Sequence, residues 1–553
     1  MKAEDKTLFK FLKNLNGQLT IPIYQRNYSW NEKQYKRLWD DLIQINYKNK
    51  KSEHFLGTIV SKSQENDNEI DLYEITLIDG QQRITCYTLL CAAICAFCKN
   101  NDIKDFKWEN KIYNAILVNL IGDGDKRYRL SLQKADDQTL KMIINDLPEP
   151  LNLNSEISTK IAKTYNFFYQ QLTLDNFLDI FNKSTRFKIF DGQAEVHDDA
   201  QIIFDSLNTS GAPLKSYEQI RNYTLMDYNT NIQKELYYTY WVKFMKYFKN
   251  RTVQFDQFMS SFKRYRLEQL SKGGNEYDYI KKVVNNGTSK EEILKELDVF
   301  FDKYITIQKC ETGIKEVDEI LEFILKVCGI EVYPIILKIY DAYLKELCSE
   351  KEFIACIKLL DTYICRHKVM EDGLGKMLRN SFNNLNQIKE EDCYYSLKIL
   401  SENYEINDEQ FKNGLENFKP NKIKNFTEIF LKRIENNFHN NNPISIKKYN
   451  IEHIMPKNLN KKWKAKLGFN YYNIHYKYCE NLGNLTLVTY SPQKSDNTFE
   501  EKLNMKNGFK DSDLWLNKSI CDYIYWNEDT IIKRLNFLTK ICLKIWPTPK
   551  KDF

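Results

Sequence analysis

Apolar residues along this chain change their period several times, and each change marks an element. Over residues 18–30, QLTIPIYQRNYSW, apolar and polar positions alternate and then give way to polar and aromatic ones, which predicts a strand running into a loop. After Asn31 the period becomes helical, with Tyr35, Leu38, Trp39, Leu42 and Ile45 on one face of a helix reaching Tyr47. Residues 54–61 and 72–78 predict two strands, the second ending at Asp79-Gly-Gln-Gln-Arg83, and ITCYTLLCAAICAFC follows as a buried helix. A strand, sharp turn and helix in that order aims backbone N–H groups and the positive end of the helix at whatever lies above the turn. Such a junction can hold an anion.

From residue 200 to 431 the pattern is mostly helical, with clear stretches at 291–307, 317–347 and 352–366. Pro334 interrupts the second and is expected to end or kink a helix there. Gly122-Asp-Gly124 is too short a glycine pattern for anything but a turn, and the polar run 437–442 before Pro443 marks the start of a C-terminal module. Within it, residues 448–454 and 485–488 predict two antiparallel strands, and Asp496 or Ser495 is expected to cap a helix through Phe499 and Leu503. That succession brings Glu452, His453, Asn484 and Asn497 together from distant points of the sequence.

Size and charge narrow the class. A chain of 553 residues exceeds one core and should divide into about three or four domains of roughly 100–200 residues. The net charge of +6 is unremarkable, but residues 421–470 carry eleven Lys/Arg against three Glu and overlap the C-terminal motif. A phosphate backbone is a plausible partner for that stretch, and a solvated basic surface is the competing account. The N-terminus lacks a signal sequence and no apolar run would span a bilayer, so a cytoplasmic protein without a membrane partner is expected. Thirteen cysteines at irregular spacings suit buried reduced thiols. Cys91, Cys95 and Cys98 have the spacing of an iron–sulfur motif but recur at helical intervals inside an apolar run, where core packing is expected.

The residue types suggest two sites. Hydrolysis of a phosphodiester needs a base for water and a cation to stabilise charge on the phosphate and the leaving oxygen. His453 suits the base, Glu452 and Asn497 offer hard oxygens for one Mg²⁺ or other divalent cation, and the side-chain carbonyl of Asn484 would orient the imidazole. These residues would otherwise be ordinary strand-end and turn residues. Against that, Glu-His-Ile-x-Pro, Leu-Gly-Asn-Leu-Thr-Leu and Ser-Asp-Asn occur in order within residues 450–497. His475, in the aromatic run YYNIHYKYC, is expected to pack. At the N-terminal site, Arg26 and Arg83 could clasp phosphate oxygens, Tyr28 or Trp30 could stack on a base, and Asp79 could hold a metal or polarise a water. Arginines that only pair with acidic neighbours are the equal alternative. The chain has no GxxxxGK[ST], so a nucleotide site here would not be a P-loop.

At these residues the chain resembles a known family. IPIYQRNYSW followed by DGQQRITCYTLL resembles the N-terminal ParB- and sulfiredoxin-like domain of GmrSD type IV restriction enzymes and of their phosphorothioate-sensing relatives. FDSLNTSGAPLKSYEQIRN, residues 204–222, is similar to the segment after that domain, and EHIMP with LGNLTLV resembles the family's C-terminal HNH nuclease. The matches keep the family order over residues 21–497. The resemblance implies an α+β multidomain chain: an N-terminal ParB/sulfiredoxin-like α/β sensor (1–195), a mostly helical middle (196–435) and a ββα-metal HNH domain (436–553). It implies binding and hydrolysis of an NTP, GTP or another, at Asp79, Gly80, Gln81, Gln82 and Arg83, with Tyr24, Gln25 and Arg26 near the same pocket meeting modified double-stranded DNA. The HNH domain of RNA-guided CRISPR nucleases shares the acidic-His pair and a Lys-Ser-Asp-Asn segment, which supports Glu452 and Asn497 as metal ligands. Glu452 stands where many HNH sites have Asp, and Asn497 where they have His. The expectation is an anti-phage endonuclease in which NTP binding gates Mg²⁺-dependent cleavage of modified DNA. The alternatives are a DNA-binding NTPase sensor with a nicking, partner-dependent or inactive HNH module, and an abortive-infection nuclease. The modification read, the NTP preferred, nicking against double-strand cleavage, and dimerisation stay open.

Overall fold

The protein is described from a computed structural model, over residues 2–49, 52–63, 73–153, 157–194, 214–248, 251–266, 275–371, 385–418, 424–439, 449–489 and 496–549. The chain gathers into two units, Met1–Phe255 with Gly274–Lys295, and Asp256–Gly273 with Glu296–Phe553.

In the first unit the elements run β1 (Lys2–Thr7), α1 (Leu8–Lys13), β2 (Gly17–Thr20), α2 (Glu32–Ile43), β3 (His54–Ser63), β4 (Tyr73–Asp79), α3 (Gln81–Asn100), β5 (Leu130–Ser131), α4 (Lys134–Asp146), α5 (Thr159–Gln171), α6 (Phe177–Ser184), β6 (Phe187–Ala194) and α7 (Ser216–Leu225), before further helices. The strands form one mixed α/β sheet in the order β1-β6-β3-β4-β2-β5. β1 and β6 are antiparallel, β3 lies parallel to β6, and β4 is parallel to β2. The sequence pattern located β2, β3 and β4. It missed β1, β5 and β6, whose charged or short runs carry little alternation.

α2 begins where the period changes: Asn31 accepts from the Lys33 N–H, and its own N–H donates to Gln34 Oε1 in a capping box. Tyr35, Leu38, Trp39, Leu42 and Ile45 are buried as expected, although the helix stops at Ile43 instead of Tyr47. α3 buries 16 of its 20 residues, so it is enclosed on nearly all sides. Cys91, Cys95 and Cys98 sit in that core as packing thiols.

The second unit is mainly helical. Lys315–Cys328 forms α8, and Pro334 begins the next helix, Tyr333–Leu344, in its first turn, where the missing N–H has no partner to lose. Then follow α9 (Glu350–Met370), α10 (Cys393–Ser401), α11 (Asp408–Glu416), α12 (Lys424–Asn436), β7 (Asn450–His453), β8 (Leu485–Val488), α13 (Phe499–Asn504) and α14 (Glu528–Ile545), with short helices between β7 and β8. β7 and β8 form a two-stranded antiparallel sheet beside a core of Ile454, Met455, Trp463 and Trp526. No helix among the described residues is long and apolar enough to cross a membrane. Residues 204–213 of the third motif, 440–443 of the expected boundary, and Lys494 and Ser495 lie outside the described residues.

Candidate functional site

The C-terminal motif becomes a strand pair and a helix. Glu452 pairs with Thr486 and His453 with Leu485, so His453 stands at the end of β7. α13 is capped by Thr498, in a box with Glu501, and not by Ser495 or Asp496. Thr498 has an extended backbone, and its hydroxyl accepts from the Glu501 N–H of that turn.

His453 is half-buried and its Nε2 lies 3.0 Å from Glu480 Oε2. Lys457 Nζ holds the other oxygen of Glu480 at 2.8 Å. Burial opposes ionisation of Glu480, but the hydrogen bonds from His453 and Lys457 outweigh it and hold the carboxyl down to about 2. Glu452 is 2% exposed. Lys502, on α13 and equally buried, donates to Glu452 Oε1 at 2.5 Å and to the His453 carbonyl at 2.6 Å. Burial pushes the Glu452 carboxyl up and the Lys502 ammonium down, and the attraction between the two opposes both shifts.

Asn484 has a different task from the one expected of it. It is fully buried; its carbonyl accepts from the Met455 N–H at 2.7 Å and from Trp526 Nε1 at 2.9 Å, and its amide donates to the Met455 and Cys479 carbonyls. Both ends of the amide are filled by backbone and indole, so Asn484 clamps the chain just after His453 and does not orient the imidazole. Gly483 before it has to be glycine: an added Cβ would come within 2.4 Å of the Ile531 carbonyl on α14. Asn497 is half-buried at the start of α13, and its amide nitrogen faces Met505 Sδ at 3.8 Å, which turns its carbonyl oxygen the other way. His475 packs, with Nε2 on the Pro456 carbonyl.

In the first unit the strand, turn and helix junction forms as expected. Gly80 takes φ +94, and a Cβ there would lie 2.8 Å from Ile59 Cγ1. α3 starts with no side-chain cap. Arg83 donates to the Thr58 carbonyl at 2.5 Å and lies 3.6 Å from Asp79. The loop after β2 is tied to both sides of the junction. Gln25 donates to the Leu77 and Ile78 carbonyls, and Gln82 accepts from the Ser29 N–H and donates to the Asn27 carbonyl. Arg26 lies between these anchors; its Nε, Gln81 Oε1 and Gln25 Oε1 are buried atoms with no hydrogen-bond partner. Tyr24 and Tyr28 are buried, and Tyr28 packs in the core with its N–H on Asp136, so it offers no face for a base. Trp30 is half-buried against the same core. From the third motif, the buried Arg221 on α7 donates to the Tyr24 carbonyl at 2.8 Å.

Residues 7–225 match the family model described as the GmrSD restriction endonuclease N-terminal domain, and residues 405–541 match that of the GmrSD restriction endonuclease C-terminal domain. The chain belongs to the GmrSD restriction endonuclease family. No curated protein matches it. GmrSD membership implies nuclease activity on DNA, and the C-terminal match contains the whole β7, β8 and α13 site.

Glu452 and Asn497 carry the donor types that a hard divalent cation takes. Lys502 holds one oxygen of Glu452, a carboxylate has lone pairs on both, and the Asn497 carbonyl is a second hard donor. Sequence reasoning missed Glu480, Lys502 and Arg534. Arg534, buried on α14, donates to the Gly483 and Leu485 carbonyls and so fixes the turn that carries Asn484. Glu480 was visible as the residue just before Asn-Leu-Gly-Asn, and Lys502 as the lone cation on the buried face of α13. Neither advertises its partner without the fold.

Proposed function

We propose that this GmrSD endonuclease cuts modified double-stranded DNA at the β7, β8 and α13 site, and that an NTP held at the Asp79–Arg83 junction regulates cutting. On this reading β7, β8 and α13 form a ββα-metal unit of HNH type within residues 436–553. Residues 1–195 form a ParB/sulfiredoxin-like sensor, residues 196–435 a helical middle domain, and the protein works in the cytoplasm as an anti-phage nuclease.

The observation that carries the nuclease reading is the His453–Glu480 pair. An ionised Glu480 can only accept, so His453 Nε2 carries a proton, and in the neutral ring Nδ1 is left with the lone pair that takes a proton from water. Glu480 then stabilises the imidazolium, as the carboxylate does in a catalytic triad. Lys502 holds the His453 carbonyl, and Asn484 holds the Met455 N–H two residues further on. Glu452 and Asn497 would hold one Mg²⁺, which when bound stabilises charge on the phosphate and the leaving oxygen.

The regulatory reading rests on the uncapped start of α3 and on the partnerless Arg26 Nε and Gln81 Oε1, which suit phosphate oxygens and a polar edge of the nucleotide. Gln25 and Gln82 link the Tyr24-Gln25-Arg26 loop to both flanks of that junction, so a ligand there acts directly on the loop expected to meet DNA.

The test is cleavage of a panel of differently modified phage DNAs by purified protein with Mg²⁺, with and without each NTP. Mg²⁺-dependent products that vanish in His453→Ala, with the fold retained by circular dichroism, support the nuclease. Retained cleavage in that variant overturns the assignment. One observation favours a second reading, a DNA sensor whose C-terminal module nicks or acts only with a partner: Lys502 already neutralises Glu452. Nicked circles without linear product, or no product on any DNA, favour that reading.

A further inference from the structure

Outside both sites, one group of ligand-bearing side chains converges where α10 meets the start of α9. Cys348, just before the Ser349 cap of α9, Glu352 in its first turn, and Cys393, the first residue of α10, place two sulfurs and a carboxylate oxygen all within 4.8 Å of one another. Among the described residues this is the one such trio of His, Cys, Asp or Glu.

Ordinary packing explains part of the arrangement. Glu352 accepts from the Tyr394 N–H at 3.1 Å, and so caps α10 from α9. As thiols, Cys348 and Cys393 lie near the Ser349 and Glu390 carbonyls at 3.6 and 3.5 Å. Packing does not explain why two thiols in hydrogen-bonding contact share a pocket with a carboxylate. The cysteines of α3 pack in the apolar core and form no such trio with a carboxylate. The Cys393 thiol, followed by burial, pushes the Cys348 thiol well above its ordinary value.

We infer that Cys348, Glu352 and Cys393 form a binding site for a thiophilic divalent cation of the Zn²⁺ class, pinning the start of α10 to the start of α9. A tetrahedral Zn²⁺ with Zn–S of about 2.3 Å and Zn–O of about 2.0 Å sets its ligand atoms about 3.5–3.8 Å apart. Small side-chain rotations reach that spacing from the one observed. Binding replaces two S–H protons, which leave to solvent, by two metal–sulfur bonds, with no change of oxidation state. Glu352 is half-buried while both thiols are buried, so the carboxylate edge is the way in. Cys356, buried one turn beyond Glu352 on α9, is a candidate for the fourth position, and water is the alternative.

The experiment uses the full chain, stripped with a chelator, reloaded with Zn²⁺ or Co²⁺ and desalted. Zn²⁺ per chain is measured by mass spectrometry, and Co²⁺ ligation by its thiolate charge-transfer absorption. A His453→Ala/Asn497→Ala background, which keeps the buried Glu452–Lys502 pair, removes two C-terminal donors from the count. The expected result is about one Zn²⁺ per chain in that background with a thiolate–cobalt band, both lost in Cys348→Ser/Cys393→Ser. If the double variant fails to fold, Glu352→Gln carries the test, with Zn²⁺ affinity expected to fall by roughly tenfold or more. Equal Zn²⁺ with and without the cysteines, a cobalt spectrum lacking the thiolate band, affinity unchanged in Glu352→Gln, or a Cys348–Cys393 disulfide in the freshly purified protein each overturns the site.

Discussion

The ammonium of Lys502 sits 2.5 Å from Glu452 Oε1, and both side chains are almost wholly out of water. The carboxylate offered as a metal ligand is therefore already compensated by a cation built into the helix that follows it. Removing one partner strands the other. Lys502→Met should destabilise the protein by about 3–5 kcal/mol, whereas Lys502→Met with Glu452→Met should recover most of that loss. Urea denaturation of the single and double variants measures the difference, and an additive double variant would sink the pairing.

Glu480 should matter to both acid stability and rate. Its carboxyl titrates near 2 in the folded chain against an ordinary 4.5, so its contribution is complete above that ordinary value and disappears as pH falls toward about 2. Glu480→Gln should flatten the acid end of the stability curve. At neutral pH it should slow DNA cleavage by roughly 10–100-fold by releasing the His453 ring. A pH series of thermal melts and a cleavage time course check the two effects separately.

Asn484 separates two roles that sequence alone would merge. Asn484→Ala leaves the Met455 N–H and carbonyl, the Cys479 carbonyl and the Trp526 indole without their partner. The expected cost is about 3 kcal/mol or more, since each buried group left unmade costs about 1–3 kcal/mol. A residue that merely oriented the imidazole would lower cleavage and leave the melting temperature unchanged, so calorimetry decides.

Gly80→Ala should disturb the N-terminal junction by backbone means alone. The left-handed φ and the clash with Ile59 predict a loss of about 1–3 kcal/mol. Nucleotide binding, measured by isothermal titration, should weaken along with it. Arg83→Ala keeps the turn, and its effect on NTP hydrolysis reads the side chain alone; hydrolysis at the unaltered rate would contradict the proposed nucleotide site.

Patterning revealed the elements better than it revealed the partners. β2, β3, β4, α2, α3, β7 and β8 were legible because each carries a clean period or a capping residue, as at Asn31. β1, with the charged run Lys2 to Thr7, has no alternation to read, and it is a strand because β6 offers it an edge. The same limit applies at the site. Glu452 and His453 stood out by type and spacing, but Lys502 and Glu480 are ordinary charges until folding brings them to those two residues. Asn484 was read as orienting the imidazole, but its amide is taken up by backbone and indole, because spacing does not show which way an amide points. Tyr28 read as a stacking platform because a sequence cannot say that its ring is enclosed.

The edge pairing of β1 with β6 has a temporal consequence. Lys2 takes Gln193 as its register partner, so β1 is made well before the strand it pairs with. At roughly 5–20 residues per second of synthesis, that delay is about 10–40 s. Through that interval the Lys-Ala-Glu-Asp-Lys segment is an unpaired strand, and its density of charge disfavours pairing with a neighbouring nascent chain.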